Sequence, residues 1–173
     1  MKTYCFNLNN GYIEEKIAKS LKSLLNNNDF VIVCIGTDLA VGDSLGPYTG
    51  TLLVNEKNND FIVYGTLDFP ITAKETDTLT KTIKKIHPNA KIVAIDAAVG
   101  NTEDIGNIKI SNSPIKPGLG VNKNLIEVGD VSIIGIVSSK NQTLDKIINN
   151  TRLNLVVKMA NAIKNGVYKS VQL

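Results

Sequence analysis

Apolar and polar residues alternate between two periods along this chain. Residues 12–25, YIEEKIAKSLKSLL, place Ile13, Ile17, Leu21 and Leu24/Leu25 at helical spacing. This predicts an amphipathic helix ended by the Asn26-Asn27-Asn28 run. FVIVCI (30–35) is a continuous β-branched run and predicts a buried strand. A glycine-rich loop follows, and then Pro47–Val54 predicts a helix with its proline in the first turn. FIVYGT (61–66) predicts a second strand, and Asp77–Ile86 a helix closed by Pro88. KIVAID (91–96) predicts a strand ending on Asp96. IGNIKI (105–110) follows without a helix between, which predicts an antiparallel strand at a sheet edge. VSIIGIV (131–137) predicts another buried strand. Apolar positions from Thr143 to Lys164 predict one long C-terminal helix with Gly166 as its terminating residue.

Apolar strands alternating with helices predict an α/β domain with a mostly parallel sheet. The 173 residues suit one domain, 1–173, and show no internal repeat or linker. Charge narrows the function class: the net charge is +3 with both signs interspersed, which argues against nucleic acid as a partner. No apolar run reaches membrane-spanning length, and MKTYCFNLNN lacks the apolar core of a signal peptide, so the expected location is the cytoplasm. Cys5 and Cys34 have no partner at CxxC spacing and read as reduced thiols. His87, the one histidine, precedes Pro88 at a helix end and reads as structural. With no second histidine, a transition-metal site is disfavoured; a Ser-His-Asp or Cys-His triad would need His87 as its sole base, and His87 is expected at the opposite edge of the sheet.

Ligands of a parallel sheet gather at the carboxyl ends of its strands. Two acidic residues fall there: Asp43, in the loop after FVIVCI, and Asp96, at the end of KIVAI. A close carboxylate pair cannot readily ionise twice, so one partner can serve as acid and the other as base toward a water. Each has a plainer alternative to weigh. Asp43 also suits a helix N-cap, and Asp38 suits a side-chain turn within its own loop. The glycines Gly36, Gly42 and Gly46 match neither GxGxxG nor a P-loop, and no lysine or arginine lies among them, so a phosphate loop fits poorly. A second glycine segment, SPIKPGLGVNKNL (113–125), is either a surface turn or a substrate-facing loop. In the second case Gly118 and Gly120 would offer backbone N–H groups to a peptide, with Lys123 as a supporting charge.

GDSLGP (42–47), IDAAVG (95–100) and IKPGLGVNK (115–123), in this order, resemble the germination proteases, atypical aspartic peptidases of spore-forming Firmicutes. The short length and GTLDFPITAKE (65–75) more specifically resemble the YyaC family of sporulation proteins. The resemblance implies a three-layer α/β/α, phosphorylase/hydrolase-like fold of the hydrogenase maturation protease kind. It implies aspartic-type peptidase activity with Asp43 and Asp96 as the essential pair, and no cofactor or metal. It further implies protein or peptide substrates such as small acid-soluble spore proteins, action in sporulation or germination, and a forespore or mother-cell location. A homo-oligomer is compatible with it. The chain departs from the pattern at Lys116, near where the germination proteases carry a histidine, and it is shorter than they are. A binding or regulatory protein that keeps the fold is the alternative.

Overall fold

The computed structural model describes residues 1–57, 61–117, 127–140 and 151–173. Six strands form one sheet: β1 (Thr3–Asn7), β2 (Phe30–Cys34), β3 (Val63–Tyr64), β4 (Lys91–Gly100), β5 (Asn107–Ser111) and β6 (Val131–Ser139). Their order is β1-β5-β6-β4-β2-β3. The β6-β4-β2-β3 half is parallel, while β5 runs antiparallel to both β6 and β1. IGNIKI is therefore antiparallel, as its sequence predicts, but it is not at the edge. β1 covers it, and β1 is a strand the hydrophobic pattern did not yield. The available signal was short: Tyr4 and Phe6 alternate with exposed neighbours and pack against the core.

Alternation along the parallel strands sorts the core onto two faces. Ile32, Cys34, Val93, Ile95 and Ala97 face one way and meet α1 (Ile13–Leu25), α2 (Leu45–Val54) and α4 (Leu153–Gln172). Val31, Val33, Ile35, Ile92 and Ala94 face the other way and meet Ile83 of α3 (Thr76–Ile86). Helices on both faces of a mixed, largely parallel sheet make the three-layer α/β arrangement that the sequence predicts. Asn26 and Asn27 end α1 in left-handed conformations at φ 53 and 58, the role expected of the asparagine run.

Several boundaries differ from their sequence expectations: FIVYGT (61–66) contributes only Val63–Tyr64 to the sheet, and α2 begins at Leu45 and not at Pro47. β4 does not end on Asp96 but runs to Gly100, because β6 continues to pair with it after β2 has stopped at Cys34↔Ile95. The C-terminal helix starts at Leu153, after an extended Arg152, and continues to Gln172; residues 143–150 of the predicted helix lie outside the described residues. Gly166 does not terminate that helix. It lies within it, where an added Cβ would come 2.4 Å from Ile17 Cγ2, so it is the point where α4 crosses α1.

Candidate functional site

Short backbone links bring the two predicted aspartates to the same edge of the sheet. Just past β2, the Ile35 N–H donates to the carbonyl of Ile95, the residue before Asp96 (2.8 Å). Two residues later the Thr37 N–H donates to the carbonyl of Asp43 (3.1 Å). Between them Gly36, at φ +134, leaves room for that carbonyl: a Cβ there would sit 2.0 Å from the Asp43 oxygen. Asp43 itself ends a 3-10 turn, Val41–Asp43, that packs against β4, α2 and α4.

The helix that follows is docked backbone to backbone. A Cβ on Gly46 would lie 2.1 Å from the Ile35 carbonyl oxygen, and one on Gly50 would lie 1.9 Å from the Gly65 carbonyl oxygen. One turn apart, the two glycines let α2 rest directly on the ends of β2 and the β3 segment. Above β6, Leu45 Cδ2 would be 2.3 Å from a Cβ on Gly135, whose register partner on β4 is Ala97. Gly36 and Gly46 of GTDLAVGDSLGP thus serve close approach of the chain to itself. Gly135 went unremarked in the sequence, although a glycine inside an otherwise apolar strand signals such an approach.

Asp43 is not a helix cap. The N-cap position of α2 belongs to Ser44, whose hydroxyl donates instead to the Val41 carbonyl (2.8 Å). Burial pushes the Asp43 carboxyl up to about 6, against a smaller opposing effect from the Thr37 backbone N–H. Asp38 is exposed, and the side-chain turn expected of it is made by its neighbour: Thr37 Oγ1 accepts from the Leu39 N–H (3.3 Å). Asp96 is 6% exposed. Its Oδ1 accepts from the Ala97 N–H at 2.8 Å. It shares a sheet face with Ile134, its register partner on β6.

A cavity of about 330 Å³ opens on that face, lined by Asp96, Ala98, Ser111, Ser132, Ile134 and Lys116 among others. Asp43 does not line it, so the pair is joined through the strand edge and not through this cavity. Lys116 stands at the cavity and reaches Glu127 at 3.7 Å. Ile115 and Val128 bridge each other, and Ile115 lines the cavity with Asp96. Gly118, Gly120 and Lys123 lie outside the described residues.

His87 is remote from these groups. It terminates α3, and its Nε2 pairs with the Tyr64 hydroxyl at 2.9 Å, in keeping with a structural role. A larger cavity of about 1160 Å³ also lies away from the carboxylates, at the amino ends of β2 and β4 near Phe30, Ala90 and Tyr168. Cys34 is fully buried and its thiol is pushed upward by burial; Cys5 is exposed, and both are free. No described helix is long and apolar enough to cross a membrane.

Comparison with known proteins places the chain among relatives. The protein YyaC of Bacillus subtilis (strain 168), described as uncharacterized, is 40% identical over 157 residues, covering 87% of this chain and 77% of that one. A [NiFe] hydrogenase maturation protease, HycI from Thermococcus kodakarensis KOD1, superposes with a TM-score of 0.43 at 16% identity, covering 83% of this chain and 98% of that one. A family described as "Protein of unknown function (DUF1256)" matches residues 5–166. Spanning both aspartates and nearly every element of the sheet, that match and the YyaC relationship mean that the chain belongs to the DUF1256 family.

Proposed function

We propose that the protein is an aspartic-type endopeptidase in which Asp43 and Asp96 activate water against a peptide carbonyl. The observation that carries this is the placement of two carboxylates, both withdrawn from water and neither used as a helix cap, on one carboxyl edge of the sheet. A carboxyl titrating near 6 is suited to proton transfer close to neutral pH. Asp43 then donates the proton to the leaving amine. Asp96 takes a proton from the attacking water. In this reading the Gly118–Gly120 backbone and Lys123 serve the peptide and its developing oxyanion. The motif resemblance to germination proteases supports a role in sporulation or germination, with small acid-soluble spore proteins as the substrate class.

The test is incubation of the purified chain with spore-core protein extract, beside its Asp96→Asn variant. Discrete bands are expected to disappear with the wild type alone. Identical patterns from the two proteins would reject the peptidase reading and leave a binding or regulatory role.

A further inference from the structure

The cavity beside Asp96 has chemistry that a water-activating pair does not require. Three hydroxyls run along it in a line. Ser111 Oγ bonds Ser113 Oγ at 2.6 Å and Ser132 Oγ at 2.9 Å, and either atom can donate in each bond. Ser132 is 1% exposed and Ser111 8%. Ser111 and Ser132 are register partners on β5 and β6, so the strands themselves hold this line in place.

Three hydroxyls supply three protons, and two are used inside the line. When Ser111 accepts from one neighbour and donates to the other, one end is left as a donor and the other as an acceptor, and the whole line can reverse. Neither Ser113 nor Ser132 makes any other side-chain hydrogen bond among the described residues. A ligand group that both donates and accepts matches such a line; a group that only accepts, or only donates, matches one end. Charge points the same way. Among the described residues the cavity carries one acidic residue, Asp96, and one basic residue, Lys116, whose charge Glu127 meets at 3.7 Å, so the described lining offers no unpaired cation to a carboxylate. A carboxylate would also meet Asp96, and an ammonium would meet Lys116. The rest of the described lining is apolar: Pro114, Ile115, Ile134 and Ala98 would cover methylene groups.

We propose that this cavity is a specificity pocket that takes a neutral primary-amide side chain, asparagine or glutamine, of a bound polypeptide. The identification of the ligand as a peptide rests on the peptidase reading above. The amide NH₂ donates to one end of the serine line, and the amide oxygen accepts from the other. The methylenes lie against Ile115 and Ile134.

Two measurements on the full chain separate this proposal from the peptidase reading. The first is binding, followed by backbone amide shifts in NMR on titration with acetyl-Gly-Gln-Gly-amide and its Glu and Leu counterparts. The glutamine peptide is expected to shift the amides of Ser111, Ser132 and Ile134 saturably, and to bind at least tenfold tighter than the other two. In Ser111→Ala and Ser132→Ala the advantage should fall to about twofold or less, while the far amides of α1 stay unmoved, showing an intact fold. Equal binding of the three peptides, or an advantage that survives both substitutions, overturns the pocket. The second is cleavage of peptide mixtures. A preference for Asn or Gln at one position, flattened by Ser111→Ala, supports the pocket. Cleavage with no such preference overturns it while the peptidase reading stands. Absence of cleavage with selective glutamine-peptide binding rejects the peptidase reading and leaves the amide pocket in place.

Discussion

Asp43 shows how a fold can remove one of two roles that a sequence leaves open. Locally it suits a helix cap, and the fold hands that position to Ser44. Its raised value has a sign that can be checked. The folded state holds the proton more tightly than the unfolded chain does, so this residue favours folding most below about pH 4. That contribution declines as pH rises through about 6 and is flat above. Asp43→Asn cannot ionise and removes the decline. Urea denaturation should find the variant more stable than wild type at pH 8 by on the order of 1 kcal/mol, given that water still reaches the group, with little difference at pH 4. Its activity should move oppositely: kcat/KM is expected to drop about 100-fold or more at pH 6. With Asp43 as the acid, wild-type kcat/KM should fall on the alkaline side of about pH 6.

At the level of elements, α1 and α3 were legible because each turns one apolar face to a single core cluster, β2 and β4 because their continuous apolar runs feed both clusters, and α2 from its first-turn proline. What the hydrophobic pattern could not locate were features set by neighbours. β4 outruns KIVAID because β6 pairs past the point where β2 stops, and that is a property of two strands together. β1 is five residues at an edge with only two side chains turned inward, too few for a period to stand out. Gly166 read as a terminator because glycine commonly ends helices, whereas here the close crossing over Ile17 demands it. The crossing makes a prediction. Gly166→Ala adds helix propensity yet places a methyl 2.4 Å from Ile17 Cγ2, so chemical denaturation should show a net loss of about 1–2 kcal/mol. Gly135→Ala, which presses on the fully buried Leu45, should cost about 1–3 kcal/mol and also displace the first turn of α2.

For the molecule as a whole, three described helices cover one face of the sheet and α3 covers the other. The heavier side is fastened at its outer surface by a four-residue cluster. Lys169 of α4 reaches Glu14 at 2.7 Å and Glu15 at 2.6 Å, and Asn165 donates to Glu14 at 2.6 Å. The Lys169 ammonium, which is the main cause, and Asn165 hold Glu14 below the usual carboxylate range. A lowered acid contributes stability above its ordinary value, and this is lost as pH falls through the folded one. Lys169→Met should therefore lower Tm at pH 7 and leave it nearly unchanged at pH 3, as differential scanning calorimetry can record. The candidate site was legible at this scale as well. The rule that chemistry collects at strand carboxyl ends selected Asp43 and Asp96 without any contact being known; Asp43 follows the end of β2, whereas Asp96 lies inside β4, level with the point where β2 stops. The hydroxyl line was not legible, since Ser111, Ser113 and Ser132 are ordinary residues on separate segments until β5 and β6 align them.

The seating of α2 on bare carbonyls at Gly46 and Gly50 has a consequence for motion. Side chains between a helix and a sheet act as bearings, because they can change rotamer and let the helix slide. Here two of the contacts have none to change. The turn that holds Asp43 is thus mounted on a part with little freedom to shift, and the cost of positioning its carboxyl is met during folding, before any encounter with a ligand. NMR order parameters for residues 41–50 should accordingly be high, near 0.85, and the same with and without bound peptide.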